Sequence, residues 1–342
     1  MTKTEVVITA ANTVELVESS FEPILAESDV LIETESSYIS AGTELANYTG
    51  LEPQTREPGS WCYYPWRPGY ANVGRVRLTG RAVTKVREGD RVFSFGKHAS
   101  HIVVDLTASH AALVIKVPDS IPSSIAAASR MAGVAYSAPH LAEITINRWV
   151  AVYGLGAVGN LAAQIFRILG CRVIGIDPSA KRRDLAVACG VPYVLGGSPE
   201  DIVSGIKRIT DGVMVKTAVD AVGDSRVILQ CLHGVAKQSE VIILGTPRAQ
   251  VAGDLTEAFR LSHTNWITIK GALEWMMDTY PGAWSSTTLY DKQANIFDWI
   301  ARGDLQVAPL ISHTVKPGQM SQAYDGLLND KETYTGVVVD WS

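Results

Sequence analysis

Gly154-Leu155-Gly156-Ala157-Val158-Gly159 follows directly on the apolar run Trp149-Val150-Ala151-Val152-Tyr153 and leads into Asn160–Leu169, which has the apolar spacing of a helix. Glycines so spaced between a buried strand and a helix suit the binding of a dinucleotide pyrophosphate. Gly154 makes the tight turn, Gly156 lets the pyrophosphate approach the backbone, and Gly159 lets helix and strand pack closely. The helix N-terminus adds N–H donors and the positive end of its dipole. The next strand, Arg172–Ile176, ends in Asp177, eighteen residues past Gly159. An acid there accepts from both ribose hydroxyls and repels a 2′-phosphate, which favours NAD over NADP. Lys181, Arg182 and Arg183 oppose this if they curl over the ribose, so NADP stays possible; the pattern places them on the exposed start of the next helix. Val222, Gly245, Thr246 and Gly271 stand at the small-residue ends of further apolar strands, where the crevice for a dinucleotide forms.

A second group of residues could handle protons. His98, in Lys97-His98-Ala99-Ser100-His101, is a candidate acid/base, because an imidazole can both give and take a proton. Trp61, Tyr63, Tyr64, Trp66 and Tyr70 crowd one loop, with Trp275 and Trp284 much later in the chain. Such platforms suit the apolar face of a sugar or a planar ring; the 61–66 stretch could equally cover an oligomer surface. Cys62, Cys171, Cys189 and Cys231 form no C-x-x-C pair and no cluster, which argues against a disulfide framework or a four-cysteine zinc lobe.

These residues need elements to hold them. Residues 1 to about 118 read as β-rich, in short alternating runs punctuated by Gly, Pro and Asp. Ala126–Ser137 is helical in pattern, and strands and helices then alternate to about Lys270, the sign of a parallel sheet with covering helices. The tail holds two amphipathic helices, Asp291–Arg302 and Gln319–Leu328, and a closing strand, Gly336–Asp340, that returns to the first domain. At 342 residues and 46% hydrophobic, the chain exceeds one core. Lys+Arg 30 against Asp+Glu 35, net −5 with no polybasic block, argues against nucleic acid or acidic membrane surfaces as partners. There is no apolar core of a signal peptide and no run near the roughly 18 residues of a membrane span, so a soluble, cytoplasmic protein is expected. A strand near Ile267–Leu273 would end the parallel sheet beside Leu273, Trp275 and Met276, which predicts an isologous pairing with a second copy.

With Gly42-Thr43-Glu44, Pro68-Gly69-Tyr70, Gly74-Arg75-Val76, Gly89-Asp90-Arg91-Val92 and the closing Ala323–Leu328 and Gly336–Val339, the chain resembles the medium-chain dehydrogenase/reductase superfamily over essentially its whole length. The resemblance, to its alcohol and polyol dehydrogenase group, implies an α/β protein. A GroES-like β-rich catalytic domain would span 1–132 and 274–342, and a Rossmann doubly wound parallel-sheet domain 133–273. It also implies NAD or NADP as cofactor, a substrate near the nicotinamide, and a homodimer or higher homo-oligomer.

The same resemblance exposes departures. Ala41 stands where zinc-dependent members have a cysteine ligand, Tyr70-Ala71 replaces their His-Glu, and Arg130 falls near the third ligand. Residues 93–98 run straight into a strand where the structural zinc lobe would follow. No zinc is expected. Thr43 matches the family's proton-relaying hydroxyl, and Tyr70 would point its phenol into the emptied site. With His98 these form the expected catalytic set. Glu44, Trp66, Arg130 and Trp275 are the expected substrate contacts; alternatively Glu44 holds a nearby arginine and Tyr70 fills volume against Trp66. A phenol donates well to a carbonyl, which tilts the reading towards ketone reduction. The expected function is a zinc-independent NAD(P)-dependent oxidoreductase interconverting a secondary alcohol and a ketone on a polar, sugar- or cyclitol-like substrate. The alternatives are a quinone or enoyl reductase delivering hydride to a conjugated C=C, and a non-catalytic NAD(P)-binding sensor.

Overall fold

The computed structural model describes residues 1–108, 112–282 and 287–342; Trp284 lies outside the described residues. The chain divides into two units. One comprises Met1–Arg130, Trp275–Gly303 and Leu310–Ser342, the other Met131–Glu274 and Asp304–Pro309. Among the described residues no helix is long and apolar enough to cross a membrane.

The first unit is built on β-strands. β1 (Thr2–Ala10) and β2 (Thr13–Ser20) form a hairpin in which Val6 faces Leu16. The sequence reading passes over β2, whose residues are almost all exposed and carry no burial signal. β3 (Asp29–Tyr38), β4 (Asn72–Thr79), β5 (Arg91–Ser94), β6 (His101–Asp105) and β7 (Val114–Lys116) pair antiparallel, with both β4 and β6 hydrogen-bonded to β3. Their inward apolar residues, among them Val30, Ile32, Val76, Val92 and Ile102, form one core cluster. That follows from period-two alternation on strands with one face buried.

The second unit is a parallel sheet of β8 (Trp149–Tyr153), β9 (Arg172–Ile176), β10 (Tyr193–Leu195), β11 (Val215–Asp220), β12 (Val235–Ile243) and β13 (Thr268–Gly271), in the order β10-β9-β8-β11-β12-β13. β8 lies inside, and Val150 to Tyr153 are buried, as the unbroken apolar run requires of a strand covered on both faces. Helix Ala157–Ile168 lays Leu161, Ala162, Ile165 and Phe166 into the core. The strand order reverses between β8 and β11, which puts the carboxyl ends of these two neighbours at a topological switch point.

The chain then returns to the first unit. β14 (His313–Val315) pairs with β15 (Val337–Asp340), and β15 lies antiparallel on β3 with Val338 opposite Tyr38. Helix Met320–Asn329 buries Met320, Ala323, Tyr324 and Leu327 in a cluster with Ile8, Ile39 and Trp66. One segment departs from the expected division: Asp304–Pro309 belongs with the second unit. Gln164 holds it from both sides, its Oε1 accepting from Gln306 N at 2.7 Å and its Nε2 donating to Gln306 O at 3.1 Å. A paired buried amide of this kind fixes a loop that apolar periodicity cannot see.

Candidate functional site

In the second unit the glycine loop has the geometry its spacing predicts. Gly154 sits at φ +89, where a side chain is strained, and an added Cβ would meet Val222 Cγ2 at 2.6 Å. A Cβ on Gly159 would fall 1.8 Å from the Gly154 carbonyl oxygen. Gly156 is different: nothing lies within 4 Å of the Cβ position. It is also the N-cap of helix Ala157–Ile168 and gives no side-chain cap, leaving the first-turn N–H groups of Ala157 and Val158 to an anion. The loop therefore fits a pyrophosphate.

Asp220, at the end of β11, ties the neighbouring strand ends together. Its Oδ1 accepts from Val222 N at 2.9 Å and Gly223 N at 3.1 Å, and its carbonyl accepts from Leu244 N at 2.9 Å and Gly245 N at 2.8 Å. Burial pushes its carboxyl above the usual carboxylate range, against those two N–H donors. Val222 and Thr246 are exposed beside it, and Gly271 ends β13, so these candidates sit at strand ends as expected.

Asp177 is buried at the end of β9. Its Oδ2 accepts from Leu155 N at 2.8 Å and its Oδ1 from Ser179 N at 2.9 Å, so it braces the glycine loop. Each carboxylate oxygen has a further lone pair for a ribose hydroxyl. Arg182 Nη1 stands 3.7 Å from Asp177 Oδ2. Arg183 Nη1 donates to the carbonyls of Asp177 at 2.7 Å and Pro178 at 2.9 Å, while Lys181 is exposed. All three cations lie in the first turn of helix Ala180–Ala188, where the dipole disfavours positive charge. Arg182 and Arg183 are offset there by Asp177 and by the turn carbonyls.

In the first unit a buried polar network surrounds Glu44, on the first turn of helix Ala41–Tyr48. Its Oε1 accepts from Ser40 N at 2.8 Å, and its Oε2 from Tyr324 OH at 2.8 Å and from His98 Nε2, 3.1 Å away. His98 Nδ1 meets Ser37 Oγ at 2.7 Å, and Ser37 Oγ also accepts from Trp341 Nε1 at 2.9 Å. Burial, then the nearby Glu44, push the Tyr324 phenol well above its ordinary value. Tyr70 is placed by what precedes it. Gly69 lies at φ +100, and a Cβ there would come 2.6 Å from His98 N, so the Pro68–Tyr70 loop rests flat on His98. The Tyr70 phenol is hydrogen-bonded to Ser40 Oγ. Arg130 donates from Nε to the Tyr70 carbonyl at 3.2 Å, and its guanidinium stands over the rings of Tyr70 at 4.6 Å, Phe95 at 4.4 Å and Trp275 at 5.7 Å.

Several expectations change. His98 is buried with both ring nitrogens engaged, so it offers no free nitrogen to a substrate as an acid/base must. Glu44 is fully buried and, among the described residues, pairs with His98 and Tyr324 rather than with an arginine, because the first helical turn directs it back to Ser40. Trp66 is a core residue, its backbone paired with Ile8 and its ring edge-on to Trp61. Tyr70 packs on Arg130 rather than on Trp66. Thr43 is half-buried on the same helix as Glu44 and makes no hydrogen bond to His98, Tyr70 or Arg130 among the described residues. Ser37, Ser40, Phe95, Asp220, Tyr324 and Trp341 were not named as site residues from the sequence, although Ser40, Phe95, Asp220 and Tyr324 lie within or beside segments it singled out.

The residues present do not fit a catalytic zinc. Alanine and a guanidinium supply no ligand, and among the described residues no group of three or more His, Cys, Asp and Glu could hold a metal.

The family model described as zinc-binding dehydrogenase matches residues 157–287. An uncharacterized zinc-type alcohol dehydrogenase-like protein of Haemophilus influenzae is 23% identical over 338 residues, covering 91% of each chain. L-threonine 3-dehydrogenase of Caldanaerobacter subterraneus subsp. tengcongensis is 28% identical over 299 residues, 74% of this chain and 82% of that one. The crystal structure of galactitol-1-phosphate dehydrogenase from Escherichia coli shares the fold, with a TM-score of 0.82 at 19% identity over 98% of this chain and 99% of that one. With the glycine cradle, the switch point and the returning C-terminal strand, these matches make the chain similar to the medium-chain, zinc-type alcohol dehydrogenases, and the relatives they name are dehydrogenases.

Proposed function

We propose that this protein is a zinc-independent, NAD-preferring oxidoreductase that interconverts a secondary alcohol and a ketone on a polar, polyhydroxylated substrate. The observation that carries the reading is the Tyr70 phenol, half-exposed and hydrogen-bonded to Ser40, at the position of a histidine ligand in zinc-dependent relatives. The Gly154–Gly159 loop holds the pyrophosphate and Asp177 the ribose hydroxyls. When bound, the reduced nicotinamide supplies a hydride. Tyr70 donates its proton to the carbonyl oxygen that the hydride leaves negative, the task a metal would otherwise share. The names of the threonine and galactitol-phosphate enzymes support a substrate with a secondary hydroxyl beside other polar groups. Two copies pair through β13, which ends its sheet among the described residues.

The test is a turnover screen with NADH and NADPH against polyol-derived ketones and conjugated enones, on parent protein and Tyr70→Phe. Ketone reduction lost in Tyr70→Phe supports the reading. Turnover of enones alone, or Tyr70→Phe working at the parental rate, refutes it.

A further inference from the structure

We infer that Ser40 is a positioning residue that holds the Tyr70 phenol and, with Arg130, bears the charge left on it after proton donation; this rests on the proposed role of Tyr70. Ser40 is almost wholly buried, and its main chain is pinned because its N–H donates to Glu44 Oε1 at 2.8 Å. Glu44 is pinned in turn by His98 and Tyr324, and His98 by Ser37. The Ser40 hydroxyl thus cannot wander, and its hydrogen-bond partner is the Tyr70 oxygen. Either hydroxyl can donate in that contact; with Ser40 as the donor, the phenol proton is left for a substrate oxygen. Two hydroxyls in contact share one bond and leave one proton to give away.

The balance of the step is explicit. When bound, the reduced nicotinamide would supply a hydride to the carbonyl carbon, forming the C–H bond, and the C=O π pair would move to oxygen. That oxygen takes the Tyr70 proton, so the phenol O–H breaks and the alcohol O–H forms. The ketone is reduced, the cofactor is oxidised, and the negative charge stands on the Tyr70 oxygen until water returns a proton. Ser40 O–H then becomes a charge-assisted donor to the phenolate, and such bonds are roughly twice as strong as neutral ones. The Arg130 guanidinium, 4.6 Å from the ring centroid, faces the same charge. Tyr38 on β3 is the further titratable group that interacts electrostatically with the phenol, and Glu44 holds the Ser40 main chain.

The experiment needs no substrate. The near-ultraviolet phenolate absorbance of the apoprotein is followed against pH, and the Tyr70 transition is identified by its loss in Tyr70→Phe. Ser40→Ala should move that transition up by about one pH unit, a tenfold loss of phenolate, and Ser40→Thr should restore it. Arg130→Gln should move it the same way, which keeps the test alive should Ser40→Ala not fold. A Tyr70 transition unmoved in Ser40→Ala, or unmoved in both variants, overturns the inference while leaving Tyr70 as donor. If no transition is lost in Tyr70→Phe, the inference also fails. Undiminished ketone turnover by Tyr70→Phe, by contrast, sinks the underlying reading.

Discussion

Glu44 Oε2 lies 3.1 Å from His98 Nε2, with both side chains fully removed from solvent. The pair joins residues 54 positions apart and seats the loop that carries Tyr70. Removing one partner of a buried pair strands the other. Glu44→Ala leaves His98, the Tyr324 hydroxyl and the Ser40 N–H without their acceptor and should cost roughly 3–5 kcal/mol. Glu44→Gln, which keeps an acceptor, should cost about 1–3 kcal/mol. Urea unfolding of both variants checks this; equal losses would mean that the acceptor is not what matters.

Gly159 and Gly156 should separate packing from binding. Gly159→Ala drives a methyl into the Gly154 carbonyl, so both the thermal midpoint and NADH affinity should fall. Gly156→Ala meets open space, so the midpoint should hold while calorimetric NADH affinity drops at least tenfold. Unchanged affinity in Gly156→Ala would place the pyrophosphate elsewhere.

NADH should bind more tightly than NADPH. Losing a charge-assisted bond from the ribose costs roughly 1.5–3 kcal/mol, so Asp177→Asn should weaken NADH about tenfold or more and narrow the preference. Arg182, 3.7 Å from Asp177, is the cation that would take a 2′-phosphate. If calorimetry ranks NADPH first and Arg182→Ala reverses the order, the assignment to Asp177 is wrong.

Purified protein should contain no stoichiometric zinc, because Ala41 and Arg130 offer no ligand. Elemental analysis with a chelator control decides it. One tightly held zinc per chain, with activity lost on chelation, would falsify zinc independence.

Light scattering should give at least twice 36.8 kDa. β13 is the sheet edge, and Ile269, Leu273 and Met276 are exposed on or just beyond it. Charges at Ile269 and Leu273 should return the protein to a monomer. A dimer that survives them pairs through another surface, with the exposed Trp61 loop the first to examine.

Much of the candidate dinucleotide site was legible in the residues alone. A turn between a buried strand and a helix imposes glycines at set offsets, so Gly154–Gly159 and the acid at the next strand end announce themselves locally. The departures at Ala41, Tyr70 and Arg130 from the zinc-dependent pattern are read from side-chain type alone. The candidate proton-handling site was not. Tyr324 reaches Glu44 from 280 residues away, and Trp341 reaches Ser37 from 304. Apolar periodicity says which face of an element is buried, not which polar group waits across the core to pair with it. His98 and Ser40 show the consequence. The histidine that looked reactive spends both nitrogens inside the protein, and the serine that looked ordinary meets the phenol. Hydrogen-bond pairing requires both partners in place within about 3 Å, and only the packing of β3, helix Ala41–Tyr48 and helix Met320–Asn329 decided which partners those were.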